Sequence, residues 1–258
     1  MNRWQIVVAG TVLTLGVSLM SDARAQTTDP DKILKAMSDY VTGQKTLSIT
    51  FDSDIEVITS GLQKIQFTSS GQVQLSRPDK LRATRTGGYN DVEIVFDGKT
   101  FTINHKDANA FAQIDAPGSI DGLIDTLREG HGITAPGADL LFSNAFEVIM
   151  GDVIDSAYVG KGVIDGVECD HLAFRNPETD WQIWIEPGAR PIPRKYVITS
   201  KTVAGAPQYT LRIKEWKADL SPDVFVFKPA QGANQLALKD LKDFDEVPQG
   251  TMATGGKK

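Results

Sequence analysis

From Ser70 to Ile103 the chain alternates, turns and alternates again, and that rhythm limits what it can become. The segment reads SGQVQLSRPDKLRATRTGGYNDVEIVFDGKTFTI. Val73, Leu75 and Arg77 fall on one strand face, and Gln72, Gln74 and Ser76 on the other. Pro78-Asp79-Lys80 interrupts the pattern, which resumes through Val92, Ile94 and Phe96, turns at Asp97-Gly98 and restarts at Phe101 and Ile103. Period-two alternation describes antiparallel strands wet on one face and apolar on the other. An apolar sheet face must be covered, and what covers it decides the function.

The same rhythm extends to both sides. Leu47, Ile49, Phe51, Ile55 and Val57 mark a first long strand, and Ser60-Gly61 turns it into a partner beginning at Ile65 and Phe67. Further strands are expected around Gly160–Gly166, then over 180–185, 193–201, 208–217 and 224–228. Helical spacing occurs in three places. Asp29-Pro30-Asp31 opens a helix to about Tyr40 with Ile33, Leu34 and Met37 on one face, and Ser119 precedes Ile120, Leu123, Ile124 and Leu127. A third run follows Pro136-Gly137 and contains Leu140, Leu141 and Phe142. The expected fold is therefore mainly β: ten or so antiparallel strands interrupted by two or three short amphipathic helices. The insert after Asp115 fits two roles equally, a plug of ordinary core or a lid over a groove, since both need one apolar stripe.

The N-terminus reads as a secretory leader. Arg3 precedes an apolar run from Ile6 to Met20, and Ala23-Arg24-Ala25 offers a small-x-small cleavage site after Ala25. The run is shorter than the ~20 residues of a membrane span, and no Cys stands near the site for lipid attachment. Three segments are expected: leader 1–25, a main β domain 26–229, and a C-terminal extension 230–258 ending in a mobile tail. The 27 basic and 33 acidic side chains become 25 and 32 once Arg3, Arg24 and Asp22 leave, a net of −7. An acidic chain without a basic run argues against nucleic acid and anionic headgroups as partners. Cys169 is the sole cysteine, so no internal disulfide forms, and a buried structural thiol is its expected role.

Reactive chemistry finds little support. His105, His131 and His171 belong to no metal-binding spacing, and no Gly-x-Ser-x-Gly elbow occurs. Cys169 and His171 share a strand face without the contact that a catalytic pair requires. Trp181 and Trp184 take opposite faces by parity. Asp243, Asp245 and Glu246 read as a solvated charge run. No catalytic residue, cofactor or metal is expected.

Several short motifs carry a resemblance. Ser70-Gly71 through Arg77-Pro78, the Asp97-Gly98-Lys99-Thr100 turn, and Phe225-Val226-Phe227-Lys228-Pro229 followed by Gln231-Gly232-Ala233 occur in order. In these the chain resembles the LolA/LolB superfamily of periplasmic lipoprotein carriers, and within it a family of predicted periplasmic proteins of unknown function. The resemblance implies an open, unclosed antiparallel β-barrel of about ten or eleven strands covered by short helices, a half-barrel whose concave interior receives acyl chains, with the closing strand at Phe225–Pro229. It also implies that Arg77 latches the lid or assists transfer, with carbonyls of lid-helix ends as partners; snorkelling to water is the plain alternative. The chain lacks a recognisable membrane-inserting loop.

The expected function is a soluble periplasmic carrier holding a lipid, lipoprotein acyl chain or other amphiphile. Groove residues are assigned on the early strands to Phe51, Phe67, Val73, Leu75 and Leu81. They continue through Ile94, Phe96, Phe101 and Ile103, and on the later strands through Trp181, Ile183, Ile198, Leu211 and Ile213. Ile120, Leu123, Ile124 and Leu127 form the lid. Leu75→Arg or Phe96→Glu should then abolish binding while sparing secretion. Expected partners are a lipid or lipidated protein and a membrane-anchored donor or acceptor. An envelope sensor that binds a partner protein through the same fold is the rival reading, and an enzyme with an unrecognised site is a third.

Overall fold

The computed structural model describes residues 28–248, apart from 117, 132, 134, 218, 219, 221 and 243. The leader and the terminal glycine-lysine tail assigned above lie outside the described residues.

Helix α1 (Pro30–Thr42) begins where the sequence sets it. The Asp29 carboxylate accepts from the Asp31 and Lys32 backbone N–H groups at 3.1 and 3.3 Å, and Pro30 occupies the first turn, where no donor is needed. Leu34, Met37 and Val41 form its buried stripe. Each contributes on the order of 1.5–3 kcal/mol by leaving water.

One sheet holds every strand among the described residues. It runs through β1 (Thr46–Ile58), β2 (Lys64–Ser76), β3 (Lys80–Gly87), β4 (Asp91–Phe96), β5 (Thr100–His105) and β6 (Ala110–Asp115). After the helical insert come β7 (Asp155–Ile164), β8 (Val167–Arg175), β9 (Thr179–Ile185), β10 (Pro193–Ser200), β11 (Gln208–Lys217) and the short β12 (Asn234–Leu236). The spatial order is β12-β6-β5-β4-β3-β2-β1-β11-β10-β9-β8-β7. Neighbours are antiparallel except β12, which joins β6 in parallel. Since β7 and β12 do not meet, the sheet stays open, as the resemblance implies. On the free edge, β7 carries Lys161 and an irregularity at Tyr158/Gly160, two features that discourage a further strand.

Two expectations for the C-terminal part need correction. Residues 224–228 form no strand: Pro222–Phe225 is a single 3-10 turn, and its Val224 carbonyl takes a hydrogen bond of 2.8 Å from Arg82 on β3. The last sheet contact is made instead by β12, which raises the count to twelve strands. The 244–247 stretch is not a freely solvated run either: Val247 is buried, and Glu246 is largely covered.

The concave face is filled unequally. Over the β7–β9 region α1 supplies ordinary core, with α3 (Ala145–Met150) packed against α1. There Trp181 stacks on Phe174 at 4.0 Å and meets Tyr196 edge-on, while Leu172, Ile183 and Ile185 are fully buried. Near the Pro78 turn, Leu75, Phe96, Phe101 and Ile120 pack without exposure. Over the middle of β1 to β5 and β11 the cover stands off, and a hollow remains.

Candidate ligand cavity

The hollow has a volume of about 460 Å³, within the ~300–1,000 Å³ usual for small-molecule pockets. Its floor is built from alternate residues of neighbouring strands: Ile49 and Phe51 on β1, Val73 on β2, Leu81 and Ala83 on β3, Ile94 on β4, Ile103 on β5, and Leu211 and Ile213 on β11. Registers Ile49↔Val73, Val73↔Ala83, Ala83↔Ile94 and Ile94↔Ile103 make one apolar row across five strands.

The roof is α2 (Ile120–Asp125), continued by a wide turn at 126–130 and by residues 133 and 135–141. Leu123, Ile124, Leu127, Ile133, Leu140 and Leu141 face the hollow. Ser119 caps α2 by accepting from Gly122 N at 3.2 Å. Roof segments are tied to one another: Arg128 donates to Asp139 at 2.8 Å, and Asp121 accepts from the backbone and hydroxyl of Ser143. The roof meets the sheet at the Arg77-Pro78 turn, where Ile120 N donates to the Pro78 carbonyl at 2.9 Å and Gly118 N to that of Gly98 at 3.3 Å.

Arg77 stands beside this joint. Its Nε and Nη2 are buried and without an acceptor, so neither reaches a lid-end carbonyl of the kind expected from sequence. Burial holds its pKa below the usual arginine value, with the α2 carboxylate of Asp121 opposing.

The opposite end is polar. Arg85 on β3 donates through Nη2 to Asn90 Oδ1 at 3.1 Å and to the Phe244 carbonyl at 2.6 Å. Its Nη1 lies 3.6 Å from Glu246, and its Nε is buried with no acceptor. Asn90 Nδ2 donates to the Asp245 carbonyl at 2.6 Å. Burial pushes the Glu246 carboxyl above its ordinary pKa, against the pull of Arg85. The Tyr209 phenol, also on the cavity wall, is likewise raised, by burial first and by Glu246 second. Along the wall the Trp216 indole N–H is buried without an acceptor.

The profile of one protein family, described as predicted periplasmic protein (DUF2092), matches residues 30–239, from α1 to the turn after β12. The chain belongs to the DUF2092 family. It is accordingly a periplasmic protein, in agreement with the location read from its leader. No curated protein matches it. Among solved structures, the DUF2092 protein is similar to the lipoprotein LppX of Mycobacterium tuberculosis, with 15% identity over 75% of this chain and 99% of that one and a TM-score of 0.46. It is similar to MucB in the Pseudomonas aeruginosa MucA/MucB complex, at 13% identity over 78% and 62% and a TM-score of 0.43. A LolA superfamily protein of Nitrosomonas europaea follows at 11% identity over 78% and 98% and a TM-score of 0.37. At these scores the likenesses carry no argument about ligand or partner.

The structure gathers only part of the groove assigned to this DUF2092 protein from sequence. Phe51, Val73, Leu81, Ile94, Ile103, Leu211 and Ile213 line the hollow, as do Leu123, Ile124 and Leu127 of the roof. Leu75, Phe96, Phe101 and Ile120 do not; they form solid core at the roof's joint, so Leu75→Arg or Phe96→Glu would test folding and not binding. Trp181 and Ile183 belong to core under α1, while Phe67 and Ile198 are half-buried away from the cavity. Sequence reasoning missed Arg85 and Glu246. Arg85 shares the parity of Leu81, and that was the available signal; Glu246 offered none.

The histidines do not converge. His105 is buried on β5, His131 is exposed in the roof, and His171 stacks on Trp184 at 4.1 Å with its Nε2 2.9 Å from Gln182 Oε1. Among the described residues no three His, Cys, Asp or Glu side chains form a metal-sized group, and no helix is long and apolar enough to cross a membrane.

Proposed function

We propose that this periplasmic protein is a carrier that shelters the acyl chain of an amphiphile in the cavity beneath the roof of residues 119–141, without catalysing a reaction on it. The supporting observation is the hollow itself: about 460 Å³ walled almost wholly by aliphatic and aromatic side chains. An empty apolar space forfeits the dispersion contacts that a guest would restore, and each methylene transferred from water contributes ~0.8 kcal/mol. Affinity then needs no reactive group. At ~30 Å³ per water-sized group, the space accepts on the order of fifteen such groups, which suits one acyl chain.

In this reading the leader is cleaved after Ala25, and a membrane-anchored donor or acceptor hands over the guest. The roof swings about its joint at Pro78, with Arg77 meeting an acceptor only as the roof moves. The test is organic extraction of the natively purified protein followed by mass spectrometry, paired with tryptophan emission during titration of a delipidated sample. A co-purified lipid, and an emission change that Trp216→Phe removes, support the proposal. A lipid-free protein whose emission ignores every acyl probe overturns it, and a co-purified protein in place of a lipid favours the interaction-module alternative.

A further inference from the structure

The residues that close the polar end of the cavity are held differently from the rest of the wall. Phe244, Asp245, Glu246 and Val247 belong to no strand or helix. Hydrogen bonds from Arg85 to the Phe244 carbonyl and from Asn90 to the Asp245 carbonyl fasten them to β3 and the β3–β4 turn. They can leave without breaking a ladder.

Arg85 is poorly satisfied by this arrangement. Its side chain is only 20% exposed, and Glu246 is 15% exposed, yet their closest approach is 3.6 Å, too long for a charge-assisted hydrogen bond of ~2.7–2.9 Å. The buried Nε has no acceptor at all. An N–H deprived of its partner in such a place carries a desolvation cost that a better-placed anion would remove. Glu246 thus occupies an anion site without filling it. The site opens onto an aliphatic hollow sized for a single chain, and the Tyr209 hydroxyl lies on the same wall.

We infer that Glu246 stands in for the headgroup of the natural guest. The protein takes a single-chain amphiphile ending in a carboxylate, a long-chain fatty acid, whose head replaces Glu246 at Arg85 as residues 244–247 lift away. This rests on the reading that the cavity holds an acyl chain, and it adds a polarity: the head lies at Arg85 and the tail runs toward the roof's joint. A carboxylate is favoured because the present occupant is one carboxylate and the cation facing it is one guanidinium.

The test titrates the delipidated full-length mature protein with palmitate, hexadecanol and lysophosphatidylcholine, which offer similar tails and different heads. Palmitate should bind roughly tenfold or more tightly than hexadecanol, the scale of one well-made charged hydrogen bond. Arg85→Gln should bring palmitate down to the level of hexadecanol. Glu246→Gln should tighten palmitate several-fold by removing the internal competitor. That substitution lies outside the sheet and serves if Arg85→Gln fails to fold. Equal affinity for palmitate and hexadecanol, preference for the lysophospholipid, or weaker palmitate binding by Glu246→Gln overturns the headgroup assignment while leaving the carrier reading standing. If none of the three binds, both fail together.

Discussion

The ring of Phe51 lies directly over the bare Cα of Gly71, its register partner on β2. A Cβ at residue 71 would sit 2.4 Å from Phe51 Cζ and 2.3 Å from the Thr84 carbonyl oxygen. The missing side chain lets the phenyl group lie against the sheet floor and leaves the space above it free. Gly71→Ala should cost about 1–3 kcal/mol, as overpacking does elsewhere, because the Thr84 backbone cannot swing aside. A urea midpoint unchanged from that of the parent protein would refute the contact. Probe binding should also weaken, since a displaced ring moves into the hollow.

Arg77 gives an expectation of opposite sign. Two of its guanidinium nitrogens are buried with nothing to donate to. Arg77→Met keeps most of the stem and removes the desolvated charge. The variant should be as stable as the parent protein or more so by about 1 kcal/mol, while release of a bound acyl probe changes rate. Calorimetric melting and stopped-flow displacement read the two effects separately. A clear drop in Tm would mean that Arg77 stabilises the closed roof.

Filling the hollow separates binding from folding. Ile94 lies within the apolar floor row, between Ala83 and Ile103, and is not fully buried. Ile94→Trp should occupy the space that a guest would take, so acyl-probe affinity falls at least about tenfold with the melting temperature kept or raised. If Ile94→Trp binds as well as the parent protein, the guest lies elsewhere.

Cys169 is 0% exposed, and its thiol pKa is pushed up by burial. The thiolate is the reactive form, so an aromatic disulfide reagent at pH 8 should leave the native thiol untouched and titrate it fully in denaturant. Rapid labelling of the native protein would place this strand face in solvent.

The β1–β5 half of the molecule was legible because turn chemistry and alternation agreed at every step. Asp97-Gly98 supplied a reversal with Gly98 at φ 93°, and parity placed Val73, Ile94 and Ile103 on one face. Parity names a face, however, and not what covers it. Trp181 and Ile183 obey the same rule as Ile94 yet pack under α1, a difference set by where the helices come to rest. Leu75 and Val73 share a face on one strand, but only Leu75 reaches the roof's joint. The Phe225–Pro229 stretch alternates like a strand, and the Arg82 hydrogen bond to the Val224 carbonyl holds its start in a turn instead. Arg85 was skipped because an arginine interrupts an apolar count, although its parity was correct. The four residues that close the polar end were illegible: a segment held by side-chain donors leaves no period to read.

The unequal filling of the concave face divides the molecule's motions. Where α1, backed by α3, sits on the β7–β9 region, opening an amide requires separating helix from sheet, and hydrogen exchange there should approach the global unfolding limit. Backbone amides of the described roof residues from Leu123 to Leu141, resting on empty volume, should exchange by small local openings orders of magnitude sooner. The protein is thus built as a rigid palm with a loose thumb, and occupancy should be visible as slowed deuterium uptake in the thumb alone.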